Sequence, residues 1–186
     1  PSGPHERKHG PRGYLDDGQY KPWLRDEFDY GCIYCECREV WFPDQSSSFS
    51  VEHLRPVSVA EPGLTDYDTL AYACCQCNAA RGASVLPFDP RDGPHLEVRR
   101  DGTIRALTLA GAGLLDICKL DRPELNEFRS LILDVLGFLH IAEGEAADLC
   151  RRYLAYTSSL PDLSKLRPPG GNTRPEGIAR SAFALR

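Results

Sequence analysis

Two Cys-x-x-Cys pairs constrain the fold of this chain more than any other feature of its sequence. Cys32 and Cys35 form the first pair, and Cys74 and Cys77 form the second. Each pair can present two thiolates to one metal, and two such pairs complete the tetrahedral four-sulfur set of a closed, structural Zn²⁺ site. The sequence therefore predicts a zinc ion that joins two distant segments and acts as scaffold rather than catalyst.

The chain has eight cysteines, so four lie outside these pairs. Cys37 and Cys75 are beside the pairs and can compete as zinc ligands, although the Cys-x-x-Cys spacing favours the first set. Cys118 and Cys150 fall on apolar faces and are expected to be small core residues. The start of the chain is polar and lacks the apolar stretch of a signal peptide, so we expect reduced thiols in a cytoplasmic protein. No apolar run reaches the length that spans a membrane.

The segment between the two pairs carries the candidate chemistry. Glu52 and His53 are adjacent there, and Asn78 directly follows the last cysteine. A neutral imidazole accepts a proton near neutral pH, which makes His53 the candidate general base. The carboxylate of Glu52 and the amide oxygen of Asn78 are hard donors that favour Mg²⁺ or Mn²⁺. Each residue also has a structural alternative: a structural histidine, a solvated strand carboxylate and a helix N-cap, respectively.

This order of residues resembles the HNH endonuclease family, which has a ββα-metal fold. The resemblance covers about residues 20–90. It is carried by Cys32 and Cys35, Glu52-His53 with Pro56, Thr69-Leu70, Ala73 before Cys74 and Cys77, Asn78, and Arg81-Gly82. The resemblance implies hydrolysis of DNA phosphodiester bonds, a divalent ion held by Glu52 and Asn78, and His53 as the base.

One position departs from the family pattern. Where the family has a central asparagine, this chain has Thr69, with Asp68 beside it. A hydroxyl or a carboxylate is therefore expected to steady the catalytic loop. Two other functions stay open: a zinc-scaffold module that binds nucleic acid or protein without cleavage, and an HNH-like fold recruited to other chemistry on a small substrate. The intact Glu52-His53 and Asn78 favour the nuclease.

The charge distribution is unusual for a protein that binds DNA. The net charge is −5. Residues 1–90 carry 8 Lys and Arg against 14 Asp and Glu, a net of −6, and residues 91–186 carry 14 against 13, a net of +1. Attraction of phosphate is thus expected from the divalent ion and from Arg55 and Arg81. A protein partner or an oligomer is expected to supply the DNA affinity that this surface lacks.

The pattern predicts an α+β chain in three parts: a disordered N-terminus over residues 1–13, a zinc-stapled ββα-metal domain over 14–90, and a β-hairpin with a helical support region over 91–186. The predicted elements are a helix over 21–28, strands over 49–53 and 70–73, a short helix after Asn78, a hairpin over 95–107, and helices from Pro123 and over 143–156. Asp101-Gly102 predicts a tight type I′ turn, Asp121 is the candidate N-cap of the Pro123 helix, and Leu149 is expected to face inward. The tail from Pro161 is predicted as a linker with a docking segment over 178–185.

Overall fold

The computed structural model describes residues 5–54, 65–90 and 92–186. Within these ranges, helices and two small antiparallel sheets confirm the predicted α+β class. The elements are α1 Lys21–Glu27, β1 Phe49–His53, β2 Leu70–Cys74, α2 Cys75–Arg81, β3 Leu96–Val98, β4 Ile104–Ala106, α3 Leu109–Ile117, α4 Pro123–Leu139 and α5 Gly144–Leu154. Short 3₁₀ helices occupy Asp17–Tyr20, Glu39–Trp41, Gln45–Ser48, Tyr67–Thr69, Leu163–Lys165 and Pro175–Arg180. None of the helices in the described ranges is long and apolar enough to cross a membrane.

β1 and β2 form an antiparallel pair, and α2 follows β2 without a connecting loop. The register places His53 opposite Leu70. Cys74 ends β2 and is also the N-cap of α2, because its sulfur accepts a hydrogen bond from the backbone N–H of Cys77. The helix therefore begins at Cys75 and contains the end of the second cysteine pair, whereas the sequence predicts a helix that starts after it.

α1 packs against the two strands and contributes the largest core side chains. Trp23 and Leu24 are completely buried. The rings of Phe49 and Tyr72 stack across the strand pair with centroids 5.0 Å apart. Each fully buried apolar side chain of this kind stabilises a fold by about 1.5–3 kcal/mol, so this stack holds β1 to β2 while Trp23 and Leu24 bury the inner face of α1.

β3 and β4 form the predicted hairpin, but the turn is longer than a type I′ turn. The backbone N–H of Arg99 donates to the carbonyl of Thr103, and the N–H of Gly102 donates to the carbonyl of Arg99. Gly102 has a φ of 80°, whereas a type I′ turn needs a second left-handed residue before the glycine. A Cβ at Gly102 would collide with the carbonyl oxygen of Asn126 in α4. A three-residue loop that ends in a left-handed glycine is the next most common hairpin connection after the two-residue turns, and Asp-Gly suits both. Close packing on α4 adds a separate requirement for glycine at this position.

The sequence pattern does not predict α3. Its N-cap is Thr108, whose hydroxyl accepts a hydrogen bond from the backbone N–H of Gly111. The helix contains Gly111 and Gly113, and each glycine costs about 1 kcal/mol relative to alanine in a helix interior. A Cβ at Gly111 would collide with the carbonyl of His95. Close packing of α3 against the start of the hairpin therefore requires glycine at position 111, and glycine lowers the helix propensity of this segment.

α4 and α5 are both predicted. The structure differs from the prediction in the N-cap of α4 and in the buried face of α5. The N-cap of α4 is Arg122, which makes no side-chain cap bond, so Asp121 does not cap this helix. In α5 the buried residues are Ala147 and Cys150, whereas Leu149 is 59% exposed. α5 contacts α4 and the Glu39–Trp41 turn, and the indole N–H of Trp41 donates to the carbonyl of Tyr153 at 2.8 Å.

The segment before α1 belongs to the core, although the sequence predicts that residues 1–13 are disordered. Asp26 and Glu27 at the end of α1 are both buried. Nε2 of His9 lies 2.8 Å from Oδ2 of Asp26, and the Glu27 carboxylate accepts hydrogen bonds from the backbone N–H groups of Lys8 and His9. Buried carboxylates require such partners, so α1 holds this segment in place.

The tail after Pro161, predicted as a linker, packs back onto the same region. The side-chain oxygen of Asn172 accepts a hydrogen bond of 2.9 Å from the backbone N–H of Gly10. The backbone N–H of Ala182 donates to Oδ1 of Asp26 at 2.7 Å. The predicted docking segment therefore contacts the end of α1, and both ends of the described chain cover the same side of the core.

Glu27→Gln is expected to destabilise the fold at neutral pH by about 1–3 kcal/mol, because an amide has one acceptor oxygen where the carboxylate has two. Burial opposes ionisation of Glu27, but hydrogen bonds from His5 and from the Lys8 and His9 backbone outweigh burial and lower the pKa of the carboxyl. A carboxyl with a lower pKa in the folded state stabilises the fold above its unfolded pKa of about 4.3, and this contribution is lost as the pH falls further.

Urea unfolding at about pH 7 and about pH 3.5 tests this linkage. The free energy of unfolding should fall more for the wild type than for Glu27→Gln between these two conditions. Glu6→Gln is the matched control, because Glu6 is exposed. Equal stabilities of the two variants at neutral pH would contradict the contacts of Glu27.

Candidate functional site

The structure brings together the four cysteines that the spacing selects. The sulfur atoms of Cys32, Cys35, Cys74 and Cys77 all lie within 4.8 Å of one another, and all four residues are buried. Sγ of Cys35 is 3.8 Å from Sγ of Cys74. This is far longer than a disulfide bond and equals the edge of about 3.8 Å that a tetrahedron with 2.3 Å zinc–sulfur bonds would have. The predicted grouping is confirmed, and it can hold a metal ion.

The backbone around each pair orients the sulfur atoms. In the first turn, the N–H of Tyr34 donates to Sγ of Cys32 at 3.4 Å. In the second, the N–H of Cys77 donates to Sγ of Cys74 at 3.5 Å. Burial raises the pKa of the Cys32 thiol well above its usual value, because a thiolate there would lose hydration. A bound cation would reverse this balance by coordinating thiolates.

The other cysteines lie outside this cluster. Cys75 is exposed, and Cys37 is buried but does not join the four sulfur atoms. Cys118 and Cys150 are buried, as predicted. The structure therefore resolves the choice of ligands that the sequence leaves open.

His53 lies at the solvent-facing end of β1. Its Nε2 is 2.9 Å from Oδ2 of Asp17. The two side chains are 27% and 33% exposed, respectively. None of the residues that the structure describes hydrogen-bonds Nδ1 of His53. Within the described residues, the imidazole therefore has one nitrogen bonded to a carboxylate and one without a protein partner.

Glu52 points to the opposite face of β1 and is 2% exposed. Its Oε1 accepts hydrogen bonds from the Tyr34 hydroxyl at 2.8 Å and from Arg81 at 2.6 Å. Burial raises the pKa of Glu52, and the bonds from Tyr34 and Arg81 oppose this effect. Arg81 also donates to the backbone carbonyl of Leu54 at 3.0 Å. Both partners of this ion pair are therefore buried between β1 and α2.

Asn78 lies inside α2 and faces the same side of β1 as Glu52. Its Nδ2 donates a hydrogen bond of 2.8 Å to Oγ of Ser50. Because Cys74 is the N-cap of α2, Asn78 does not have the capping role that is its structural alternative. Among the described residues none donates to Oδ1 of Asn78, so this oxygen is open to a cation.

At the position that departs from the family pattern, the hydrogen bonds and ion pair described for Thr69 and Asp68 go to residues other than His53. The hydroxyl of Thr69 donates to the backbone carbonyl of Asp66 at 2.7 Å, and Asp68 forms an ion pair with Arg174 at 2.9 Å. Thr69 supports the strand end through its backbone, since its carbonyl accepts a hydrogen bond from the N–H of Leu54. Two further positions, Arg55 and Pro56, lie outside the described residues.

Sequence reasoning missed Asp17 and Tyr34, which bond to His53 and Glu52. Tyr34 lies within the first cysteine pair, and that position is its one detectable signal. Asp17 precedes His53 by 36 residues, and no spacing rule connects them. No family model, curated protein or solved structure matches this chain.

Glu52→Ala is expected to destabilise the fold by about 3–5 kcal/mol, because it leaves the guanidinium of Arg81 buried without its carboxylate. Glu97→Ala is the matched control, since Glu97 pairs with Arg105 on the hairpin with side chains that are 48% and 53% exposed. An exposed pair of this kind contributes about 0–1 kcal/mol. Urea unfolding of both variants provides the comparison, and similar losses would argue against a buried pair at Glu52.

Proposed function

We propose that this protein is a metal-dependent endonuclease of HNH type that hydrolyses phosphodiester bonds in DNA. The observation that carries the proposal is the His53–Asp17 pair at the end of β1, on a strand–strand–helix unit whose four cysteines can hold a metal ion. We take that ion to be structural Zn²⁺, because a buried set of four thiolates is typical of such sites. The eight cysteines, none in a disulfide, support a reducing, cytoplasmic location.

His53 acts as the general base. Hydrolysis of a phosphodiester requires a group that removes a proton from water as its oxygen attacks phosphorus. Nδ1 of His53 can accept that proton, and Asp17 can stabilise the resulting imidazolium because its carboxylate lies at Nε2. The ring is partly exposed, with 27% of its side-chain surface accessible, so a water molecule could approach it from solvent.

A divalent Mg²⁺ or Mn²⁺ ion would neutralise charge on the phosphate and on the leaving oxygen. Asn78 fits as a ligand, because no described residue donates to its Oδ1. Asn78 and His53 lie on opposite faces of β1, so an ion on Asn78 would have to meet the phosphate at His53 around the end of the strand. Glu52 fits as a ligand only after its hydrogen bonds from Tyr34 and Arg81 are exchanged. The four cysteines are the one convergent group of three or more Cys, His, Asp and Glu ligands in the described part of the chain. Water would complete the coordination, as is common for Mg²⁺.

A second candidate is a zinc-scaffold module that binds nucleic acid or protein without cleavage. The observation that favours it is the Glu52–Arg81 ion pair, which occupies the carboxylate expected to hold the catalytic ion. Exposed apolar residues on and after α4, including Leu131, Phe138 and Ile141, support a protein partner under either function. Such a partner would also supply the affinity for DNA that the acidic N-terminal half lacks.

Nicking of supercoiled plasmid by the zinc-loaded protein tests the proposal. We expect conversion to the open circle with Mg²⁺ or Mn²⁺ and none without an added divalent ion. A parallel reaction with single-stranded RNA in place of the plasmid tests the preference for DNA. If no nucleic acid is cleaved under any of these conditions, while fluorescence anisotropy detects binding, the module without cleavage replaces the nuclease.

A further inference from the structure

We infer that Asp17 is the positioning residue that selects the tautomer of His53 and makes Nδ1 its basic nitrogen. The inference rests on the nuclease proposed above, and it extends the site to a segment that precedes both cysteine pairs. A carboxylate can accept but not donate a hydrogen bond. With Oδ2 of Asp17 at 2.9 Å from Nε2, the neutral ring must carry its hydrogen on Nε2.

The backbone that carries Asp17 is anchored on both sides. Asp16 is the N-cap of the 3₁₀ helix, and its side chain accepts a hydrogen bond of 2.8 Å from the N–H of Gly18. Tyr20, at the other end of the same turn, is completely buried. Its ring packs edge-on against Tyr14 with centroids 5.0 Å apart. The Asp17 carboxylate is therefore held at the strand end by a turn that is fixed independently of His53.

Asp17 also has the role of steadying the catalytic loop, which the sequence assigns to Thr69 or Asp68. The hydroxyl of Thr69 is directed to the carbonyl of Asp66, and the carboxylate of Asp68 is directed to Arg174. In a hydrolytic step, Nδ1 gains the proton of the attacking water while Nε2 keeps its own, so the ring becomes a cation next to Asp17. Orientation of the base and stabilisation of that cation then depend on one carboxylate.

Nitrogen-15 spectra of the zinc-loaded protein, labelled at histidine, test the tautomer. The spectra are recorded at about pH 8, above the ordinary pKa of an imidazole, and His53→Ala identifies the signals of this ring among the five histidines. We expect Nε2 of His53 to have the shift of a protonated nitrogen and Nδ1 that of a bare one. Asp17→Ala should move both shifts toward the values of a tautomer mixture. Asp44→Ala is the matched control, because Asp44 is exposed and makes no side-chain cap bond.

A wild-type ring that is a mixture or carries hydrogen on Nδ1 would overturn the inference, as would unchanged shifts in Asp17→Ala. In the nicking assay, Asp17→Ala should lower kcat by about 10- to 100-fold with little change in KM, and Asp17→Glu should restore part of the loss. An unchanged kcat in Asp17→Ala would refute the positioning role. If the wild type cleaves nothing, the nuclease proposal fails, while the spectra still decide whether Asp17 sets the tautomer.

Discussion

Cys77→Ser is expected to leave the protein without zinc and without a cooperatively folded core. Three buried thiols would remain around a site that no longer closes, at the junction of β2 and α2. Structural zinc sites contribute apparent binding free energies of about 10–16 kcal/mol in small domains. Whole domains are stable by only about 5–15 kcal/mol. Loss of the metal is therefore enough to unfold the region that carries His53, Glu52 and Asn78.

Elemental analysis and thermal unfolding of protein purified without added metal provide the measurement. The wild type should contain about one zinc per chain and unfold in one transition. Cys75→Ser is the matched control, because Cys75 is the exposed neighbour of two ligands, and it should retain both properties. A Cys77→Ser protein that is free of zinc and still unfolds cooperatively would contradict the structural role of the metal.

His53→Ala is expected to lower the rate of divalent-dependent cleavage by about 10²- to 10⁴-fold. The imidazole is partly exposed and makes one protein hydrogen bond in the described structure, so fold and zinc content should not change. His140→Ala provides the control, since His140 is an exposed residue at the end of α4.

A comparison of Asn78→Ala with His53→Ala distinguishes the role of the divalent ion from that of the general base. If Asn78 is a ligand of the divalent ion, as proposed, the loss of activity in Asn78→Ala should be partly recovered by raising the concentration of Mn²⁺. The loss in His53→Ala should not be recovered in this way. If Mn²⁺ restores His53→Ala, the ring binds the ion rather than acting as the base.

The parts of the fold that sequence predicts well are those fixed by local chemistry. The cysteine spacing identifies the four residues that can hold a metal ion, and the alternation over Phe49–His53 identifies β1. The hairpin turn at Gly102 is predicted but not the length of its loop, since Asp-Gly suits more than one hairpin turn. α3 is not predicted, because packing against the carbonyl of His95 requires glycine at position 111. The burial of the segment around His9 is not predicted for a similar reason. Two carboxylates at the end of α1 are typical of a solvated surface, and they can be buried only because His9 and its neighbours pair with them.

The candidate site shows the same division. Glu52, His53 and Asn78 are recognisable by type and order, but their partners come from other segments. Arg81 reaches Glu52 across the contact of α2 with β1, and Asp17 reaches His53 from the turn before α1. Pairing of this kind depends on tertiary packing, and neither hydrophobic period nor motif spacing encodes it.

The shortness of α2 has a consequence for metal-removal experiments. The helix has seven residues, about two turns, which is too short to be stable alone. Its N-cap and first turn provide two of the four sulfur atoms, and its later residues Asn78 and Arg81 contact β1. Chelation would therefore stop cleavage by two routes, through the divalent ion and through the orientation of Asn78. The order of add-back separates them: Mg²⁺ alone restores activity only where zinc was retained, and stripped protein requires Zn²⁺ first.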